Sequence, residues 1–244
     1  MTDFQTLLNE RGVLIADGAT GTNYFALGLE TGYPPELWNI EHPARVKGLH
    51  RQFLDAGSDL ILTNSFGGTS FRLKLHNAQD RVHELNMAAA TLAREAADEH
   101  ASETGRTVLV AGSMGPTGEL FAPLGPLDHA GAVAGFADQA EALAEGGVDL
   151  LWIETISSLE EVNAALEAAR KTGLKVAATM TFDTAGKSMM GVDPADYARH
   201  VASAGAVALG GNCGVGPAEL MHSILAMQGE MDAAHDTPLI AKGN

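Results

Sequence analysis

Short, nearly continuous apolar runs alternate along the chain with Ala-rich stretches of helical spacing, and this rhythm is the tightest constraint on its fold. Runs at 13–17, 59–63, 107–112, 149–154, 175–181, 206–210 and 238–241 read as strands covered on both faces, as in a parallel sheet. Stretches at 43–56, 79–100, 128–145, 159–171, 194–203 and 217–227 read as the helices between them. Gly57, Gly146-Gly147, Gly173 and Gly205 stand where such helices end. The order predicts an α/β fold of repeated βα units. Seven strands and six helices predict a (β/α)8 TIM barrel lacking its last strand–helix unit. The rival, a doubly wound open sheet, normally carries a Gly-rich phosphate turn after its first strand, and Asp17-Gly18-Ala19-Thr20-Gly21-Thr22 is not G-x-G-x-x-G. No Pro-rich or Ser-rich linker divides residues 1–244, which read as a single barrel domain.

With 45% hydrophobic residues the chain can bury one sizeable core. Thirty-one Asp and Glu against fifteen Lys and Arg give a formal charge of −16, a field that repels phosphate backbones and anionic membrane surfaces. Nucleic acid is not an expected partner. No apolar run approaches the roughly 18–20 residues that span a bilayer, and Met1-Thr2-Asp3-Phe4-Gln5 lacks the basic and apolar blocks of a secretory signal. The lone cysteine, Cys213, excludes an internal disulfide framework. These features predict a soluble, cytoplasmic protein and leave self-association into a homo-oligomer open.

Polar residues gather where predicted strands end: Asp17, Thr63-Asn64-Ser65, Ser113, Glu154-Thr155, Thr181 and Asn212-Cys213. In a barrel all of them face the C-terminal mouth, where rigid strands deliver active-site side chains, so the pattern predicts an enzyme. Asn64, Ser65, Ser113 and Ser157 have an equally ordinary reading as helix caps and turn formers. Asp17 and Glu154 resist that reading, because each ends an apolar strand where an ionised carboxylate is costly without a partner. The one basic residue at a predicted strand end is Lys242, so a cationic ligand group is the expected partner. Cys213 lies in Gly210-Gly211-Asn212-Cys213-Gly214, where the glycines admit close approach by a ligand or metal. Nucleophile, metal ligand and small buried hydrophobe are all open to it, although no histidine stands at a predicted strand end to activate it.

Asp17-Gly18-Ala19-Thr20-Gly21-Thr22, Glu41-His42-Pro43 with His50, Thr63-Asn64-Ser65-Phe66, Gly112-Ser113-Met114-Gly115-Pro116-Thr117-Gly118, Glu154-Thr155 and Gly211-Asn212-Cys213 follow one another along successive units. Taken in order, they resemble the homocysteine S-methyltransferase family, which includes betaine-homocysteine methyltransferases and the homocysteine domain of cobalamin-dependent methionine synthases. The resemblance spans nearly the whole chain. It implies a (β/α)8 barrel that methylates homocysteine to methionine. It also implies Zn2+ held by three cysteines, one after the sixth strand and an adjacent pair after the eighth, with the homocysteine sulfur as fourth ligand. Cys213 matches the first of these. A free thiol is largely protonated at neutral pH, whereas zinc coordination deprotonates it. Glu154 matches the acid that takes the amino group, and Gly18 and Ala19 match the turn that receives the carboxylate. Cys213 and Glu154 are thereby the expected catalytic residues, and Asp17, Asn64 and Ser65 complete the expected substrate-binding set.

The family's Gly-Gly-Cys-Cys-Gly pattern has no counterpart in residues 1–244, so one thiol of three is expected here. The natural polypeptide is expected to continue past Asn244, which matches an asparagine close to the family's metal. Betaine or a related small onium compound is the first-ranked donor, because residues 1–244 hold no corrinoid module. An aromatic cage for it would draw on Tyr33 and Trp38. The alternative is a homocysteine-activating unit served by a corrinoid or folate protein, to which the wording of 63–67 and 112–117 is closer. Two other classes stay in view. A non-catalytic amino-acid-binding module would keep Glu154 and the glycine turn without zinc, and a Schiff-base lyase would need Lys242.

Overall fold

The computed structural model describes residues 3–231 and 237–243. Six strands form one sheet: β1 (Leu60–Leu62), β2 (Leu109–Met114), β3 (Leu150–Ile156), β4 (Lys175–Met180), β5 (Ala208–Asn212) and β6 (Leu239–Lys242). Every neighbouring pair is parallel, and the order is β1-β2-β3-β4-β5-β6. A strand order that never reverses is that of a barrel wall, not of a doubly wound sheet with its switch point. The helices are α1 (Phe4–Arg11), α2 (Gly21–Ala26), α3 (Trp38–Glu41), α4 (Pro43–Asp55), α5 (Ser70–Leu73), α6 (Val82–Thr104), α7 (His129–Glu145), α8 (Leu159–Arg170), α9 (Pro194–Ser203) and α10 (Pro217–Glu230). Among these described residues, no helix is long and apolar enough to cross a membrane.

The expected first strand, 13–17, is reduced to a single bridge between Ala16 and Leu60. Its ladder is interrupted by a side chain: the Ile15 N–H donates to the Asp59 carboxylate at 2.8 Å. The Ile15 carbonyl then accepts from both Asp59 and Leu60. The segment still lies along β1, because the Asp17 N–H donates to the Leu60 carbonyl at 2.9 Å. The sheet curls far enough that Lys242, at the end of β6, lies 3.5 Å from Asp17. The sixth expected strand, 206–210, forms two residues later and takes Asn212 into the ladder opposite Lys242.

Alternation along the strands builds two layers. Leu60, Leu62, Leu109, Ala111, Leu150, Trp152, Ala177 and Ala208 point into the barrel. Ile61, Val110, Leu151, Ile153, Val176, Ala178 and Leu209 point outward against the helices. Alanines at helical spacing, Ala89, Ala90, Ala93, Ala96 and Ala97 on α6 and Ala164, Ala165, Ala168 and Ala169 on α8, let helix and sheet approach closely. Large side chains fill what they leave, and fully burying one such as Phe136 contributes about 2–3 kcal/mol.

Helix α1, which sequence periodicity did not single out, stoppers the other end of the barrel. Asp3 caps it by accepting from the Thr6 N–H at 2.8 Å, and Phe4 and Leu7 enter the interior cluster. Asp3 also pairs with Lys175, the first residue of β4, at 2.8 Å, so α1 closes the N-terminal end and leaves the C-terminal mouth open.

His50 of α4 is fully buried, and neither ring nitrogen has a hydrogen-bond partner among the described residues. Burial alone pushes its pKa down from the ordinary 6.5 to about 4, so it stays neutral in the fold while the unfolded chain takes up a proton. Its contribution to stability is full above pH 6.5 and is lost as the pH falls toward 4. Between pH 7 and pH 5 the wild type should therefore lose about 2 kcal/mol relative to His50→Leu. Urea denaturation of both proteins at the two pH values checks this; a pH-independent difference would mean the imidazole is hydrated or paired.

Candidate active site

At the C-terminal mouth the strand ends enclose an open cavity of about 450 Å3, on whose wall Asp17, Glu154 and Lys242 are the charged residues among those described. Glu154 comes from β3 and points inward two residues after Trp152. Its Oε1 accepts from the Ser113 hydroxyl of β2 at 2.5 Å. Burial pushes the Glu154 carboxyl above the usual range, against Lys242 and the Ser113 hydrogen bond, which favour the charged form. Asp17 sits deeper. Its Oδ2 accepts from the Leu62 N–H at 2.8 Å and its Oδ1 faces the Lys242 ammonium. Burial raises its pKa from 3.8 to about 6; Lys242 and the Leu62 N–H oppose the rise, and nearby Glu154 adds to it. The two acids thus act on each other across one space.

Cys213 follows β5 on the same wall and is half-buried. Its N–H donates to the Lys242 carbonyl at 2.9 Å, tying the thiol to the end of β6. Cys213 and Thr155 both adopt left-handed backbone, at φ +56 and +62, and a β-branched residue there is strained by about 1–3 kcal/mol. Asn212 holds the pair: its Oδ1 accepts from the Thr155 N–H at 3.0 Å, and its amide nitrogen donates to the Thr155 hydroxyl at 2.7 Å and reaches Cys213 Sγ at 3.2 Å. The clamp coincides with a register shift in β3 between Ile153 and Ile156, which sets Glu154 at the rim.

Asn64 and Ser65 also line the cavity, but much of their bonding capacity serves the protein. The Asn64 amide nitrogen donates to the Pro35 carbonyl and to Asn39, and the Ser65 hydroxyl donates to the Ser113 carbonyl at 2.7 Å. Neither caps a helix, nor does Ser113; Ser158, not Ser157, caps α8. Ala19 is on the wall, whereas Gly18 is turned against Phe53 and does not line it.

A buried amide network escaped sequence reasoning. Gln139 of α7 donates to the Ser65 carbonyl at 2.7 Å and to Asn86 of α6 at 3.2 Å, while Asn86 donates to the Gly68 carbonyl at 2.9 Å. Asn39 adds a bond to the Asn64 carbonyl, and Glu36 accepts from the Gly67 N–H at 2.6 Å. Together they pin the loop after β1 that carries Asn64 and Ser65. A glutamine on the buried, Ala-rich stripe of α7 was the available signal.

The cage expected from Tyr33 and Trp38 does not form. Trp38 packs in the core edge-on to Tyr24 at 5.7 Å with the Arg45 guanidinium 5.0 Å over its ring, and the Tyr33 hydroxyl donates to Glu41 at 2.7 Å. Phe25 and Phe66 are the aromatic rings on the cavity. The donor set for zinc is also incomplete. Cys213 is the chain's sole thiol, and the described residues contain no group of three His, Cys, Asp or Glu able to hold a metal. Asn244 lies outside the described residues.

A family model described as homocysteine S-methyltransferase matches residues 14–244, from the segment beside β1 to the end of the chain. The chain belongs to the homocysteine S-methyltransferase family. The metallated form of the Escherichia coli homocysteine methyltransferase MmuM superposes with a TM-score of 0.84 at 25% identity, over 98% of this chain and 86% of that one. The methionine synthase of Mycobacterium tuberculosis is 31% identical over 233 residues, and that of Mycobacterium leprae 29%. Those alignments cover 90% of this chain and 19% of each methionine synthase, so the chain spans about a fifth of their length. Membership in the homocysteine S-methyltransferase family agrees with the barrel-wall strand order and with an acid and a thiol meeting at one mouth.

Proposed function

We propose that this mouth binds homocysteine and presents its sulfur for methylation, giving methionine. The observation that carries the reading is the convergence of Glu154 and Cys213 on one cavity at the end of β3 and β5. Glu154 uses one oxygen on Ser113, and its other oxygen has no hydrogen-bond partner among the described residues, which suits it to an α-ammonium. The turn at Ala19 lines the cavity with Asn64 and Ser65, which shape the wall around the ligand. The sulfur end of the ligand then reaches toward Cys213. Zinc, when bound, would lower the thiol pKa of homocysteine. In these residues it would meet the single thiol Cys213, so one metal ligand is all we assign.

Two donors are weighed. Betaine needs cation–π contacts, and with Tyr33 and Trp38 elsewhere only Phe25 and Phe66 are placed to supply them. The likeness to methionine synthases supports the second reading, in which a methylated corrinoid or folate protein brings the methyl group. Cytoplasmic location belongs to the same proposal.

The test supplies homocysteine, zinc and, separately, betaine, a methylcorrinoid and a methylfolate to the natural full-length protein and measures methionine. Formation with the corrinoid or folate alone is the expected result. Formation with betaine alone would reverse the order of donors, and methionine from none of the three would overturn the methyltransferase reading.

A further inference from the structure

We propose that Lys242 recognises the α-carboxylate of the amino-acid substrate while Glu154 takes its α-ammonium, with Asp17 serving to hold Lys242 in place. The inference deepens the homocysteine reading and rests on it.

An amino acid enters as a zwitterion, and a cavity already holding two carboxylates repels its anionic end unless a cation stands beside them. Lys242 is that cation among the described residues of the wall. It is the last residue of β6 and pairs in register with Asn212, at the level from which Cys213 departs. Its backbone is fixed there by the bond from the Cys213 N–H at 2.9 Å, and its side chain is largely buried, 15% exposed.

The side chain is also aimed. Its ammonium lies 3.5 Å from Asp17 Oδ1, an oxygen sealed from solvent and without a hydrogen-bond partner of its own among the described residues. Asp17 in turn is anchored to the Leu62 N–H at 2.8 Å. An ammonium has three donors, and one directed at Asp17 leaves two for the cavity. Backbone N–H groups near Ala19 share the wall, but α2 has only six residues and supplies little dipole to hold an anion unaided. Charges of both signs are thus presented to a ligand carrying both: Glu154 on β3 and Lys242 on β6.

Titration calorimetry with L-homocysteine and with 3-aminopropane-1-thiol, which is homocysteine without its carboxylate, tests the assignment on the natural full-length protein. The wild type should prefer homocysteine by about 10- to 100-fold. Lys242→Met should abolish that preference while changing affinity for the aminothiol less than about twofold, and Lys242→Arg should keep most of it. Equal weakening of both ligands in Lys242→Met, or a preference that survives it, would overturn the inference alone. A wild type that binds both ligands equally would do the same without any variant having to fold. A wild type that binds no homocysteine would overturn the functional reading and this inference with it.

Discussion

Glu154→Gln is expected to weaken homocysteine binding by about 1 to 3 kcal/mol, roughly a factor of 5 to 150, the size of a lost charge-assisted contact. The substitution keeps the shape and leaves an amide oxygen that can still accept from the Ser113 hydroxyl, so it removes charge and little else. Stability should not fall with affinity. Burial already penalises the Glu154 carboxylate in the empty site, and a neutral amide escapes that penalty. Calorimetric titration beside a denaturation curve separates the two effects. Unchanged affinity in a folded variant would mean that the ammonium binds elsewhere.

Gly210→Ala should be the most damaging single methyl group in the chain. Gly210 of β5 pairs with Ile240 of β6, and a Cβ there would fall on the Ile240 carbonyl oxygen and lie 2.7 Å from that residue's carbonyl carbon and amide nitrogen. Backbone atoms in a ladder cannot turn aside as a flexible side chain can. The cost should therefore exceed the about 1–3 kcal/mol of ordinary overpacking. The expected result is separation of β6 from β5, with loss of the Cys213 to Lys242 bond and of the Lys242–Asp17 contact. Gly229 on α10 is the control: among the described residues nothing lies within 4 Å of its Cβ position, so Gly229→Ala should stabilise by about 0.5–1 kcal/mol. Chemical denaturation of both variants checks the pair. A Gly210→Ala protein as stable as the wild type would show that β6 does not sit in this register.

The site owes its arrangement to two kinds of information. That Glu154 and Cys213 belong to one mouth could be read from their positions after apolar strands in a regular βα repeat, because parallel strands all end on the same side. The left-handed backbone at Thr155 could not be read that way, since its clamp comes from Asn212, on a strand 57 residues away. Nor could the fate of Trp38: a large aromatic in a long loop suits a ligand cage and a packed anchor equally well, and only its contact with Tyr24 and Arg45 decides between them. Local pattern also overstated residues 13–17, whose apolar side chains suit a strand while the Asp59 carboxylate takes the Ile15 N–H that a longer ladder would use.

The order of apolar runs, Ala-rich helices and closing glycines determined by itself a parallel α/β wall and the edge that bears the chemistry, because side-chain period and helix spacing are local properties of the chain. Tertiary structure alone decided which charges meet. Asp17 and Lys242 stand at opposite ends of the chain, and the curl of the sheet brings them to 3.5 Å, a proximity no local pattern encodes. Asp17, expected to meet a cationic ligand group, therefore meets a protein cation instead, since a carboxylate buried so deeply is held at lower cost with an ammonium beside it.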